Sequence, residues 1–150
     1  DMARRGLHTT TRWLGRGIHE PSPDEVIALG LRQEDQVARL ARLRLADTRP
    51  LAIERAALPL ALLPDPDRVM TSLYAVLAED GHLPVRALQK ISAINLGPDD
   101  AGLLHVAPGD AGLRIERISY LDDGTVVEFT RSVYRGDAYN FVAELRLTQD

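Results

Sequence analysis

Residues 112–136 read GLRIERISYLDDGTVVEFTRSVYRG, two runs of alternating apolar and polar residues joined across Asp123-Gly124. A period of two places successive side chains on opposite faces of an extended strand, and Asp-Gly is a pair that tolerates the positive φ of a tight hairpin turn. This segment commits the chain to an antiparallel sheet. Further strands are expected in RWLGRGIHE (12–20), QVARLARLRLAD (36–47), LAIERAAL (51–58), PVRALQKISAINL (84–96) and YNFVAELRL (139–147), with DTRP (47–50) turning the second of these into the third. Helix-start signals fall between them. Ser22 is an N-cap, Pro23 occupies the first helical position, Glu25 completes a capping box and Gly30 closes the helix. TSLYAVLAEDG (71–81) has a Thr71 or Ser72 cap with apolar residues at 73, 76 and 77, and GPDDAGLLHVAPG (97–109) reads as a short helix and a turn. The expected class is α+β, mainly antiparallel sheet flanked by short helices.

The 150 residues, 45% hydrophobic and 27% charged, suit a single domain with its own core, and no linker or repeat divides them. Cysteine is absent, which excludes disulfides and thiolate metal sites and suits a reducing cytoplasm, the expected location. No apolar stretch is long enough for a membrane helix. A net charge of −4 argues against this chain gripping nucleic acid unaided, because phosphate neutralisation needs a basic surface. With a first residue that is not methionine, the chain is expected to be a fragment or a processed product. The four histidines, at 8, 19, 82 and 105, are far apart and lack ligand spacing, so neither a metal nor another cofactor is expected.

Strand phase identifies candidate site residues. Arg42 and Arg44 share one face of their strand, as do Glu128, Ser132 and Tyr134 of a later one. Two guanidiniums on one face repel each other, yet together they offer donors matched to a phosphate or carboxylate. Glu54 lies on one face with Ala52 and Ala56, whose small side chains leave room beside it. The plainer alternative makes Arg42 and Arg44 a solvated face, or partners of Glu54 and Asp47, and pairs Glu128 across its hairpin with Arg117 or Ser119. Trp13 reads as core. In VYRGDAYNF (133–141), Gly136 permits a tight turn whose backbone Arg135 and Asp137 bond, while Tyr139 and Phe141 pack the next strand.

Six blocks in order, DMARRG, ARLRLAD, RPLAIERAALP, SLYAVLAEDG, AGLLHVAPGD and GTVVEFTRSVYRGDAYNF, resemble the effector-binding UTRA (UbiC transcription regulator-associated) domain of HutC-type GntR regulators. VEFTRSVYRGDAYNF is the most specific of them. The resemblance implies a chorismate-lyase-like fold without lyase activity, filling residues 1–150, and a winged helix-turn-helix DNA-binding domain that this chain lacks. It is greatest to the branch that senses amino-sugar phosphates such as glucosamine 6-phosphate and N-acetylglucosamine 6-phosphate. On that likeness Arg42 and Arg44 hold the phosphate with Ser72, Glu54 contacts the sugar, and Glu128 and Tyr134 supply a further carboxylate and phenol. The implied partners are a small anionic effector, a second copy in a homodimer, and DNA only through the absent domain. Other readings are a sensor of a urocanate-like acid or another sugar phosphate, a module that only dimerises, and an enzyme using Glu54 and Glu128 as an acid/base pair on a sugar.

Overall fold

The computed structural model describes residues 9–139 and 144–147. Six strands form one antiparallel sheet: β1 (Thr9–His19), β2 (Val37–Ala46), β3 (Arg49–Pro59), β4 (Arg86–Asn95), β5 (Ala111–Tyr120) and β6 (Val126–Arg135). Their order across the sheet is β1-β2-β3-β6-β5-β4. After β3 the chain passes to the far edge and returns inward strand by strand, so that β6 closes on β3. Helices α1 (Pro23–Leu29), α2 (Leu73–Glu79) and α3 (Pro98–Leu104) fill the longer connections. This is the α+β arrangement expected from the sequence.

The two faces of the sheet bury different helices, as the two-residue period requires. On one face Leu73, Val76 and Leu77 of α2 pack on Ala38, Leu40, Ala56, Leu58 and Val127. On the other, Leu29 of α1 packs with Val37, Ala57 and Phe129, and Ala101 and Leu104 of α3 pack with Leu43, Ile53 and Val133. Trp13 packs against the α2 cluster, with the Arg16 guanidinium 4.4 Å from its ring centre. A bulge opposite Ser119 and Tyr120 makes Val127 the extra residue of β6, which lets Val127 enter the α2 cluster beside Glu128.

The α1 capping box forms as its residues predict. Ser22 Oγ accepts from the Glu25 amide at 3.3 Å, and Glu25 Oε1 accepts from the Ser22 amide at 2.8 Å. Glu25 is only 4% exposed and also accepts from Arg39 Nε and Nη2, at 3.0 and 2.7 Å. Burial alone would raise its carboxyl pKa, but the hydrogen bonds from Arg39 and Ser22 and the Arg39 charge hold it below the ordinary value. A carboxyl depressed in the folded state stabilises the fold above its unfolded pKa, and that contribution disappears as pH falls through the folded value. Glu25→Gln should therefore lower stability near pH 7 by about 1–3 kcal/mol and flatten the loss of stability below about pH 4.5, read by urea unfolding across pH. An unchanged acid limb would assign the acid sensitivity to other carboxyls.

Three local expectations change. The β2–β3 turn is two residues, Asp47 and Thr48, rather than the four of DTRP, and Asp47 takes a left-handed φ of 53°. Arg49 and Pro50 already pair with Ala46 and Leu45, with Pro50 at a bulge, where a strand tolerates a missing N–H. Gly136 stands in a turn as expected, the Ala138 amide donating to the Arg135 carbonyl at 3.0 Å, but without a positive φ; glycine is needed there for close approach, since a Cβ would lie 2.8 Å from the Ala111 carbonyl oxygen. Arg135 bonds the Asp137 carboxylate at 3.0 and 2.9 Å and the Leu104 carbonyl at 3.4 Å, tying β6 to the end of α3 rather than bracing the turn backbone. The strand expected over 139–147 falls partly outside the described residues, Phe141 included. Tyr139 and residues 144–147, which are described, carry no strand. Among the described residues no helix is long and apolar enough to cross a membrane.

Candidate functional site

Antiparallel register stacks the candidate side chains in adjacent rows across the sheet. One row runs Trp13, Arg42, Glu54, Ser132 and Ile115, and the next runs Arg44, Ala52 and Tyr134. On the other side lie Ala56, Thr130, Arg117 and Gln89, and beyond them the pair Ser119 and Glu128. Residues 71–74, the start of α2 and its cap, lean over these rows. Between helix and sheet is a cavity of about 370 Å³, within the range of small-molecule sites. All six residues singled out from the sequence, Arg42, Arg44, Glu54, Ser72, Glu128 and Tyr134, line it.

Four arginines and two glutamates appear among the lining residues. Arg42 Nη2 lies 3.2 Å from Glu54 Oε2, so the plainer expectation of a pair between them is met, but inside the cavity rather than on a solvated face. Arg44 makes no ion pair among the described residues, and the expected alternative partner Asp47 does not engage it. The Nε atoms of both Arg42 and Arg44 are buried without a hydrogen-bond partner among the described residues. Buried donors of this kind are costly unless something accepts from them. Ser72 caps α2, its Oγ accepting from the Ala75 amide at 3.2 Å, which leaves the hydroxyl proton to donate.

Glu128 is 2% exposed. Its Oε1 accepts from Ser119 Oγ at 2.7 Å and from the Tyr74 hydroxyl. The cross-strand Ser119 pairing was legible from the hairpin; the Tyr74 contact was not. Tyr134 is held at 4.9 Å from the Tyr139 ring, and its phenol is pushed up to about 12 by burial, with the Glu54 charge and Tyr139 adding to it. At neutral pH it is a hydrogen-bonding phenol, never a phenolate. Sequence reasoning missed Tyr74, Gln89, Arg117, Thr130 and Tyr139 as cavity residues. Thr130 shares the phase of Glu128 and Ser132, so that signal was present.

A second cavity, of about 350 Å³, lies partly under α1 and includes Arg39, Arg55 and Arg131. Each arginine there is matched to a helix carboxylate: Arg39 to Glu25, Arg55 to Asp100 and Arg131 to Asp24. Of these two cavities, the first holds the half-buried Arg44, which has no ion-pair partner among the described residues. No group of three or more His, Asp or Glu side chains that could hold a metal occurs among them.

Comparison with known proteins follows the same lines. The family described as UTRA domain matches residues 4–140. The HTH-type transcriptional repressor NagR of Bacillus subtilis (strain 168) is 30% identical over 145 residues, 95% of this chain and 60% of the repressor. The mannosyl-D-glycerate transport/metabolism system repressor MngR of Escherichia coli (strain K12) is 30% identical over 116 residues, 75% of this chain and 48% of that protein. The chain thus spans about half to three-fifths of these curated relatives. A GntR-family transcriptional regulator from Enterococcus faecalis V583, a crystal structure, superposes with a TM-score of 0.84 at 32% identity, covering 91% of this chain and all of that one. PhnF from Mycobacterium smegmatis shares the fold, with a TM-score of 0.88 at 23% identity over 97% of this chain and 66% of its own.

Proposed function

This chain belongs to the UTRA domain family of GntR-type transcriptional regulators, and from that premise we propose that its α2-covered cavity binds a small anionic effector, an amino-sugar phosphate such as glucosamine 6-phosphate or N-acetylglucosamine 6-phosphate. The observation that carries the reading is the half-buried pair Arg42 and Arg44, whose buried Nε donors lack acceptors among the described residues in a cavity that also holds Glu54 and Glu128. A phosphate dianion offers several oxygens to such donors. The carboxylates suit the hydroxyls and the amine or amide of a sugar and would repel a second anion. Tyr134 supplies a ring face and a phenol beside them. The sugar-derived effector also fits the name of the MngR relative, which regulates a mannosyl-D-glycerate system.

Glu54 and Glu128 are poorly suited to acid/base chemistry, because one is paired with Arg42 and the other is clasped by Tyr74 and Ser119. The relatives are transcriptional regulators, and sensing without turnover is the function assigned. DNA contact belongs to a helix-turn-helix domain outside this chain, and two copies pair so that two such domains read a two-fold operator. The net charge of −4 supports that division of labour.

A thermal-shift panel tests the ligand class. At about 100 times its dissociation constant a ligand adds roughly 2.7 kcal/mol to the folded state, a rise of about 5–10 °C for a chain of this size. Amino-sugar phosphates should produce that rise, and the unphosphorylated sugars should not. A larger shift with urocanate or another non-phosphorylated acid would keep the sensor and remove the sugar phosphate.

A further inference from the structure

One side chain joins α2 to the buried carboxylate of the cavity. The Tyr74 hydroxyl donates to Glu128 Oε1 and itself accepts from Arg117 Nη1 at 3.4 Å. Arg117 is in turn anchored by Gln89 Oε1, which accepts from its Nε and Nη2 at 3.3 and 3.0 Å. The chain of bonds therefore runs from edge strand β4 through β5 and α2 to β6. Ser119 Oγ donates to the same Glu128 oxygen from the neighbouring strand. Both donors converge on Oε1, and Oε2 takes no hydrogen bond among the described residues. Burial, then the bond to Glu128, raises the Tyr74 phenol pKa, so it stays a donor across the neutral range. Tyr74 is 38% exposed and follows the cap Ser72 by two residues, so a hydrogen bond, more than burial of the ring, fixes its hydroxyl.

We propose that Tyr74 is the positioning residue that sets ligand selectivity at this cavity: with Ser119 it occupies Glu128 Oε1 and turns Oε2 toward the ligand as an acceptor, so that only a ligand with a hydroxyl or N–H donor there binds fully. The proposal rests on the effector reading of the cavity but not on the identity of the sugar. A carboxylate held through one oxygen presents the other in a single direction. Without the Tyr74 hydroxyl, Glu128 keeps its Ser119 bond but gains rotational freedom. Discrimination between donors on the ligand then falls, while attraction of phosphate to Arg42 and Arg44 does not. Arg117 and Gln89 hold Tyr74 and act through it.

Calorimetric titration of the 150-residue chain and its Tyr74→Phe variant, with glucosamine 6-phosphate and with inorganic phosphate, separates these effects. Tyr74→Phe removes one hydroxyl and keeps the ring. Glucosamine 6-phosphate should bind about ten-fold more weakly to the variant, and inorganic phosphate within two-fold of the parent. Equal weakening of both probes, or no weakening of either, overturns the proposal, because a merely structural tyrosine would move them together. A parent chain that binds neither probe overturns the sugar-phosphate reading instead, and the carboxyl carbon resonance of Glu128 then decides the role of Tyr74. That resonance should differ between parent and variant, with Ser119→Ala producing a shift of similar size. An unmoved resonance in Tyr74→Phe shows that the phenol does not hold the carboxylate and ends the proposal whatever ligand binds.

Discussion

Replacing Arg44 with alanine is expected to weaken binding of a phosphate-bearing effector by about a hundred-fold or more while leaving the melting temperature of the unliganded chain nearly unchanged. Two charge-assisted hydrogen bonds, at roughly 1.5–3 kcal/mol each, correspond to two orders of magnitude or more in affinity. The fold loses little, because Arg44 makes no ion pair among the described residues and its Nε is buried without an acceptor. Arg42 behaves differently. It is 3.2 Å from Glu54 and 5.8 Å from the Trp13 ring centre, so Arg42→Ala would also leave Glu54 without its cation and lower stability. Calorimetry with glucosamine 6-phosphate, paired with a melting curve of each variant, separates the two arginines. An Arg44→Ala chain that binds as tightly as the parent would reduce the pair to a wall of the cavity.

Leu77→Ala should cost about 2–5 kcal/mol of folding stability, read as a lowered urea midpoint with unchanged slope. Leu77 is fully buried in the cluster that docks α2 on the sheet, together with Leu73 and Val76. The same helix carries Ser72 at its cap and Tyr74 in its first turn, so loosened docking should also weaken effector binding beyond what the stability loss alone would give. The exposed Ile27 of α1 is a control of similar chemistry, and Ile27→Ala should change stability by less than about 0.5 kcal/mol. A Leu77→Ala chain with parental stability would mean that α2 is not held by its apolar face.

Much of the architecture was legible because the signals are local. The Ser22-Pro23-Glu25 start, the Gly30 stop, the Ser72 cap and the Asp123-Gly124 hairpin each depend on residues within a few positions of one another. Strand phase placed Arg42 with Arg44, and Glu128 with Tyr134, correctly on one face, since alternation needs no knowledge of neighbours. The short β2–β3 turn was misjudged because Pro50 reads as a turn residue. Only the bulge in the paired strand shows how a proline fits there. Gly136 does stand in the expected turn, but its close approach to the Ala111 backbone on another strand was not legible from the local sequence.

By itself the sequence determined the six strands of the sheet, the helix caps, the class and which residues share a face, because hydrophobic period and capping chemistry act over one or two turns of chain, although it also suggested a strand over 139–147 that Tyr139 and residues 144–147 do not form. Tertiary structure alone decided which faces meet. The order β1-β2-β3-β6-β5-β4 sets Glu54 beside Ser132 and Ala52 beside Tyr134, pairings between residues dozens of positions apart. Docking of α2 then turns Tyr74, on a helix whose apolar stripe is Leu73, Val76 and Leu77, toward Glu128 on β6. The pairing of Arg42 with Glu54, against Arg44 two residues away with no ion pair among the described residues, follows from cross-strand register and the packing around it. Register and docking emerge from burial summed over the whole sheet, and no local window of the chain contains that sum.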